Sequence, residues 1–202
     1  MKRRLLPLFA IMIIWLLPGA AMAQTSSGAS RDAINQLRKG ERALDAGNIE
    51  DAKERFKRAV ELDPSLAGAW AKLVSLQYAE GDFKNAYDTA QKGTKQNATN
   101  PDLQLWMGLT SQMLGKVKPG TALLEKAVTA KPSLAFAYYE PGRKIGLAKF
   151  YQKTGQWKKA MNAYKAFLKY RPSSIRKDVD HIVLFRLGES QLKLKRFAEA
   201  LA

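Results

Sequence analysis

The chain offers few residues for covalent or metal chemistry. Its 202 residues include no cysteine and a single histidine, His181. A thiolate metal site, a histidine-rich metal site and a His-based catalytic triad all need residues that this sequence lacks. No phosphate-binding loop, metal-ligand spacing or nucleophile–base pair stands out. We therefore expect a protein that is not an enzyme and that uses no cofactor and no metal.

Cationic side chains are the abundant chemical group. The sequence has 34 basic and 18 acidic residues, which gives a formal net charge of +16. Residues 101–202 carry nineteen basic and seven acidic residues, hence +12 of that surplus. A field of this sign raises the local concentration of anions. It is compatible with an anionic lipid, an acidic polysaccharide or an acidic protein partner, and equally with a surface that only keeps the chain soluble.

One short segment combines aromatic and cationic groups. "AFAYYEPGRK" (135–144) places Tyr138 and Tyr139 before a Pro-Gly turn, next to Arg143 and Lys144. These four residues on an edge would suit the lip of a binding site. An alternative interpretation is an extra helical turn that extends the first helix of a repeat, with the two tyrosines packed on the preceding repeat, residues 101–134.

The first 23 residues have the pattern of a secretory signal peptide. "MKRR" precedes the apolar run "LLPLFAIMIIWLL", and small residues at Ala21 and Ala23 predict cleavage before Gln24. The minor alternative is an uncleaved inner-membrane anchor. Either way we expect an exported protein, most simply periplasmic in a bacterial envelope, for which nucleic acid is not an expected partner. Residues 24–32 are small and polar and predict a flexible lead-in.

The elements that would position any site repeat along the chain. A 34-residue stride carries Gly47 to Gly81 and Gly115, and the same stride relates several small and apolar positions. The stretch "GNIEDAKERFKRAVELDP" (47–64) is typical of a second helix between two turns, because Gly47 permits a left-handed turn and Pro64 ends the helix. A fixed period of this size predicts a solenoid of helical hairpins.

Two insertions interrupt the 34-residue period. With six-residue insertions near 135–140 and 175–180, the frame becomes 33–66, 67–100, 101–134, 141–174 and 181–202. The last unit stops partway into its expected second helix. Because a solenoid usually finishes with a polar capping helix, either the chain is a piece of a longer protein or a partner covers its end, and we favour the first interpretation.

The repeated residues resemble the tetratricopeptide repeat pattern of aromatic, small and turn-glycine positions. The fourth unit matches it best, and its matching residues are Ala148, Tyr151, Gly155, Ala160, Tyr164 and Pro172. The resemblance covers about 170 residues, nearly all of the mature chain. It implies an all-α fold: a right-handed superhelical solenoid of antiparallel helix pairs, with about five repeats and the last truncated. First helices would line a concave groove and second helices the convex back.

The resemblance also implies which first-helix positions face the groove. Carried onto this chain, the groove positions are Leu37, Leu44, Ala71, Ser75, Tyr78, Leu105, Leu109, Gln112, Ile145, Lys149, Gln152 and Phe185. They are mostly apolar and lack the cationic set with which one subfamily holds acidic chaperone tails. We expect a scaffold that binds an extended peptide or an amphipathic helix of an envelope protein.

Two alternatives to that function remain open. The chain could be the N-terminal periplasmic arm of a larger outer-membrane export or assembly protein, such as one for polysaccharide export. It could also bind an anionic polymer or membrane surface through its basic second half. That last alternative predicts binding that weakens strongly with salt.

Overall fold

The computed structural model describes residues 19–173, 175 and 177–200, and side-chain surroundings for 30–173, 175 and 179–195. The regular structure in that part of the chain consists of ten α-helices. They are α1 (Gly19–Asp45), α2 (Ile49–Leu62), α3 (Ala67–Glu80), α4 (Phe83–Gln96), α5 (Pro101–Met113), α6 (Val117–Ala130), α7 (Ala135–Tyr138), α8 (Leu147–Lys153), α9 (Trp157–Tyr170) and α10 (Lys177–Ala200).

The helices pack as successive hairpins, as the sequence predicts: α1 on α2, α3 on α4, α5 on α6 and α8 on α9. Each hairpin turns at a glycine with positive φ, at 75° for Gly47, 85° for Gly81, 78° for Gly115 and 73° for Gly155. No atom lies within 4 Å of a Cβ built at any of the four. The left-handed backbone, and not crowding, therefore requires glycine at these turns.

Polar caps begin several helices. The side chain of Asn48 accepts a hydrogen bond from the backbone N–H of Asp51, and Asp82 caps α4 in the same way. Asn100 caps α5 and is followed by Pro101 at the first helical position. These caps satisfy N–H groups that have no partner inside their helix.

The small residues of the second helices allow close packing. Ala52, Phe56 and Ala59 of α2 are fully buried. A Cβ at Gly40 of α1 would lie 2.6 Å from the Phe56 ring, so the two helices touch over that ring. The rest of each hairpin's apolar surface packs against the next hairpin, so buried residues continue along the chain as far as α10.

The fourth hairpin differs from the sequence-based frame. Ala67, Pro101 and Ala135 begin α3, α5 and α7, so the 34-residue stride continues past 134. The six inserted residues therefore interrupt the fourth first helix instead of preceding it. We call residues 139–144 the inserted turn; α7 precedes it and α8 resumes the helix beyond it. Pro141 and Gly142 break the helix, and an antiparallel bridge joins Glu140 to Ile145.

Two further expectations are corrected by the structure. Residues 24–32, predicted as a flexible lead-in, are helical in the structure, because α1 begins at Gly19 and continues through them. The fifth unit is not a hairpin within the described residues: α10 runs unbroken to Ala200. Lys195 stands 40 residues after Gly155, where a turn glycine would be needed, and a lysine lets the helix continue.

The predicted signal peptide lies outside the described residues, apart from positions 19–23 at the start of α1. Among the helices that the structure describes, none combines the length and the apolar character needed to cross a membrane.

Candidate binding face

The first helices share one face, which we call the first-helix face; α3, α5, α7, α8 and α10 line its cavities. The middle of the predicted groove is not accessible there. Leu105 and Leu109 are 4% and 0% exposed and belong to the main core. Ala71, Tyr78 and Gln112 are also buried. On this side α7 packs against α5, and the Gly146 N–H just beyond the inserted turn donates to Gln112 of α5.

The remaining predicted groove residues keep some exposure. Phe185 is the most open, at 64%, while the others are half-buried: Leu37, Leu44, Ser75, Ile145, Lys149 and Gln152. Leu37 and Leu44 pack on the core of the first two repeats. The accessible part of the prediction therefore consists of Ser75 on one side of the inserted turn and Lys149 with Phe185 on the other.

Glu140 holds the inserted turn in shape. Its carboxylate accepts hydrogen bonds from the backbone N–H groups of Gly142 at 3.1 Å and Arg143 at 2.6 Å. It also accepts one from the Tyr78 hydroxyl at 3.4 Å, on a helix two repeats away. A short Pro-Gly loop thus gains a defined conformation from one acidic side chain.

Arg143 fastens the inserted turn to the second repeat. Its guanidinium lies 4.8 Å from the centre of the Phe83 ring and 5.4 Å from that of Tyr78. It also donates to the backbone carbonyls of Tyr78 and Ala79. Cation–π contacts of this kind stabilise the pair by roughly 0.5–2 kcal/mol.

Gln112 fixes the other end of the inserted turn. Its side-chain oxygen accepts a hydrogen bond from the Gly146 N–H at 2.8 Å, and its amide nitrogen donates to the Thr121 hydroxyl at 3.0 Å. Gly146 has a φ of 103°, and its backbone passes close to that of Tyr138. Gln112 is therefore a structural side chain here, with both of its polar atoms already bonded.

Two cavities of the first-helix face lie on opposite sides of the inserted turn. The first, which we call the apolar compartment, has about 400 Å³ and lies between Ser75, Tyr78, Trp106 and Phe136. Glu140 and Arg143 close its side. Burial, followed by the nearby Glu140 carboxylate, raises the pKa of Tyr78, so its hydroxyl stays protonated and keeps donating to Glu140. This compartment suits an apolar side chain.

The second cavity, which we call the basic compartment, has about 430 Å³ and lies between the inserted turn, α8, α9 and α10. Lys144, Lys149 and Arg186 line it, together with Tyr139 and Tyr164. The pKa of Lys149 is lowered, first by burial and then by the positive charge of Arg186. Arg186 itself donates to Glu189 at 2.8 Å. The arrangement favours an anionic occupant.

The four residues of the predicted lip separate. Tyr138 stacks on Tyr170, with ring centres 6.4 Å apart, and Tyr139 is 3% exposed. Arg143 and Lys144 do border cavities, one on each side of the turn. The two tyrosines are packed, as the alternative interpretation expects, but on α9 and not on residues 101–134. The role of Arg143 and Lys144 in a binding lip stays a prediction.

Sequence reasoning did not identify Arg186, Tyr164 or Glu140 as parts of the face. Arg186 directly follows the predicted groove residue Phe185, and that adjacency is the sequence signal that points to it. Tyr164 belongs to a second helix, and only tertiary packing brings it to this face. Glu140 lies within the inserted turn, but its contact with Tyr78 spans 62 residues.

Comparison with known proteins identifies the family. Two models of the tetratricopeptide repeat match the chain, one over residues 43–110 and one over residues 145–202. TPR repeat-containing protein PA0015 of Pseudomonas aeruginosa is 34% identical over 73 residues, which are 36% of this chain and 70% of that protein. The chain belongs to the tetratricopeptide repeat family.

Two further tetratricopeptide repeat proteins are similar to this chain, one of them much longer and the other of about the same length. TPR repeat-containing protein YpiA of Bacillus subtilis is 30% identical over 97 residues, so the match covers 48% of this chain and 23% of YpiA. The crystal structure of YrrB, a TPR protein with an unusual peptide-binding site, is similar with a TM-score of 0.57 and 18% identity. It covers 87% of this chain and 84% of YrrB, and it confirms the right-handed solenoid of helix pairs.

The inserted turn, which departs from the tetratricopeptide repeat pattern, lies between the two cavities. The inserted turn contributes Glu140 and Arg143 to one compartment and Tyr139 and Lys144 to the other. Among the described residues, no three His, Cys, Asp or Glu side chains cluster as metal ligands would. The inserted turn thus borders two neighbouring cavities of the first-helix face.

Proposed function

We propose that this protein is a non-enzymatic scaffold that holds a partner protein by a peptide or helix laid across its first-helix face. The observation that carries the proposal is the pair of compartments on one face, separated only by the inserted turn. Tetratricopeptide repeats are interaction modules, and YrrB is one with a peptide-binding site. The apolar rings of Trp106 and Phe136 beside Ser75, and the exposed Phe185, give such a segment side-chain pockets on both sides of the turn.

The same proposal places the scaffold in the bacterial envelope. Its support is the basic, apolar and small-residue succession of residues 1–23, which is typical of export signals. The partner would then be another exported protein, and nucleic acid would not be met. The absence of a catalytic role is also part of the proposal, and its support is that His181 is the single histidine and has no cysteine beside it in the sequence.

A second candidate function uses the outside of the basic half. Lys158, Lys159, Lys165 and Lys169 are exposed on α9, a second helix. An anionic polymer or membrane surface could contact them without entering either compartment. Such binding would come mostly from α9 and would fall steeply with salt.

A site-specific photo-crosslinking experiment separates these functions. The crosslinker replaces Ser75 in the apolar compartment or Phe185 in the basic one, and Lys158 on α9 is the control position. Tyr78 and Leu109 are unsuitable because both are buried. With the full chain expressed in its native envelope, we expect one and the same protein to be captured at Ser75 and Phe185 but not at Lys158.

The outcomes are distinct. Capture of a single protein from the first-helix face, competed by a synthetic peptide of that protein's crosslinked segment, establishes the scaffold. Capture of lipid or polysaccharide at Lys158 alone supports the second candidate. No capture at Ser75 and Phe185, with the variants folded by circular dichroism, contradicts a peptide-binding first-helix face.

A further inference from the structure

The basic compartment contains more positive charge than its own residues balance. Lys144, Lys149 and Arg186 border the cavity, and the carboxylate beside them is Glu189. That carboxylate already accepts hydrogen bonds from Arg186 at 2.8 Å and from the Gln152 amide at 3.2 Å. Lys153 and Glu140 act on Lys149 and Tyr139 from the edges of the cavity and add one charge of each sign. Together with the three cations and the Glu189 carboxylate, they leave a surplus of two positive charges.

The cations are crowded in the folded chain. Burial lowers the pKa of Lys149, and the charges of Arg186, Lys153 and Lys144 lower it further, against the opposing effect of Glu189. The nearest hydrogen-bond partner of its ammonium group is the Gln152 side-chain oxygen, at 3.4 Å. Like charges brought together and half-removed from water raise the free energy of the folded state unless an anion enters.

Tyr139 supplies a hydrogen-bond donor to the basic compartment. It is 97% buried, and its ring is held edge-on by Tyr164 and Phe167 at 5.5 and 5.6 Å. Its side chain lines the cavity, and in the part of the chain that the structure describes its hydroxyl has no hydrogen-bond partner. The neighbouring Tyr164 differs, because its hydroxyl donates to Gln152 at 3.1 Å. Among the described residues, the fully buried side-chain polar atoms without a partner belong to Gln77 and Asp180, so the Tyr139 hydroxyl is open to the cavity and free to donate there.

The walls of the cavity define the rest of the occupant. Phe185 and Ile182 of α10 border it and are 64% and 46% exposed. The anionic group therefore has apolar surface beside it, as a side chain carried on a peptide would use. A flat membrane surface can reach exposed lysines, but it cannot reach the recessed hydroxyl of Tyr139.

We propose that the basic compartment binds two neighbouring carboxylate side chains, from Asp or Glu, of the partner segment that crosses the first-helix face. This inference rests on the proposed function and names the chemistry of the partner. Two carboxylates neutralise the surplus of two charges, with Lys144 and Lys149 as ionic partners and the Tyr139 hydroxyl as a hydrogen-bond donor. Charge-assisted hydrogen bonds to carboxylates are the stronger class.

The test uses the full chain and synthetic probes. The main probe is a dansyl-labelled Ala-Glu-Glu-Ala-Leu peptide with an amidated C-terminus, and its Gln-Gln analogue is the matched control. A third peptide, Ala-Gln-Gln-Ala-Leu, ends in a free carboxylate. Binding is measured by fluorescence anisotropy at low ionic strength. We expect the Glu-Glu peptide to bind at least about tenfold more tightly than the Gln-Gln amide.

Variants locate the binding. Lys149→Gln should weaken Glu-Glu binding about tenfold, and Tyr139→Phe should weaken it several-fold while keeping the ring contacts. Lys158→Gln removes the same charge from α9 and should leave the Kd within about twofold. The NMR titration of the Lys149 ammonium group gives a readout of position, because the bound Glu-Glu peptide should raise the pKa of Lys149.

Several results would overturn the proposal. One is that the Glu-Glu peptide does not bind detectably, or binds no more tightly than the Gln-Gln amide. Another is that Lys158→Gln weakens Glu-Glu binding as much as Lys149→Gln does. A third is that the free-carboxylate peptide binds as tightly as the Glu-Glu peptide. Binding of phosphatidylglycerol vesicles that survives Tyr139→Phe and Lys149→Gln, without peptide binding, would assign the charge to a membrane. The scaffold proposal fails separately, through the crosslinking at Ser75.

Discussion

Lys144 has an unusual backbone for its residue type. Among the described non-glycine residues it alone has a positive φ, at 56°. The left-handed region costs an L-residue roughly 1–2 kcal/mol, and glycine occupies it freely. A lysine at this place in the inserted turn keeps its ammonium group at the edge of the basic compartment. Local strain and a cation in the cavity therefore occur in one residue.

Because the strained residue is also a cation of the cavity, one substitution should raise stability and weaken binding. Lys144→Gly should raise the free energy of unfolding by about 1 kcal/mol, because glycine relieves the left-handed strain. The same change should weaken binding of the Glu-Glu peptide several-fold, since one cation is lost. Urea unfolding and fluorescence anisotropy measure the two effects.

Lys144→Gln is the matched control for that prediction. It removes the charge but keeps a side chain on the strained backbone, so it should weaken binding as Lys144→Gly does and leave stability near that of the parent chain. If both variants unfold at the same urea concentration, the backbone at residue 144 is not strained. If neither variant weakens binding, Lys144 is not part of the acidic site.

At the scale of the elements, α5 and α6 make the closest helix contact of the third repeat. A Cβ built at Gly120 would lie 2.6 Å from the backbone oxygen of Gly108, and 3.0 Å from side-chain carbons of Ser111 and Gln112. A backbone oxygen in a helix cannot move aside cheaply. The two glycines therefore set the distance between these helices, and with it the position of Gln112, which holds the inserted turn.

Gly120→Ala should consequently destabilise the fold by about 2 kcal/mol, because the methyl group forces α5 and α6 apart. Gly188→Ala on α10 is the control: no atom lies within 4 Å of its Cβ, so alanine should leave stability unchanged or raise it by up to about 1 kcal/mol. Urea unfolding followed by circular dichroism measures both. Equal unfolding midpoints for the two variants would show that the α5–α6 contact adapts.

Sequence periodicity predicts the helical hairpins, but it does not predict which residues form the candidate site. The turn glycines are visible because a left-handed turn requires them, and the structure confirms all four. Periodicity does not show whether the six inserted residues come before or after residues 135–138, because the 34-residue period allows both alignments. It also assigns Leu105 and Leu109 to an open wall, whereas both are buried in the main core, where α7 packs on α5.

The sequence shows the acidic-peptide site only in pieces. Lys149 and Phe185 are predicted as groove residues, while Lys144 and Tyr139 belong to the predicted lip, so the four fall into two unrelated groups. Their meeting with Arg186 depends on how α8 and α10 pack through α9, and no spacing encodes that. The lysine at 195, in place of a turn glycine, is visible in the sequence, and it explains why α10 continues where a turn is expected.

At the scale of the whole molecule, the net charge of +16 opposes folding and favours binding. The ion pairs among the described residues, such as Lys131–Asp102 and Arg58–Glu61, are mostly exposed and contribute little to stability. The repulsion within residues 101–202 is not balanced by them. A chain with this surplus is stabilised when its charges are screened, and it loses affinity for anions under the same conditions.

Salt should therefore act in opposite directions on the two properties. Raising NaCl from about 0.01 M to about 0.1 M shortens the Debye length from about 30 to about 10 Å. Over that range we expect the thermal midpoint of the full chain to rise and the Kd for the Glu-Glu peptide to increase. A Lys158→Gln, Lys165→Gln double variant carries two fewer exposed charges on α9 and should show a smaller rise in midpoint. Its peptide Kd should change with salt as the parent's does, because those lysines lie outside the basic compartment. A midpoint that falls with salt would mean that ion pairs stabilise the fold, and that the cationic surplus is already compensated within the chain.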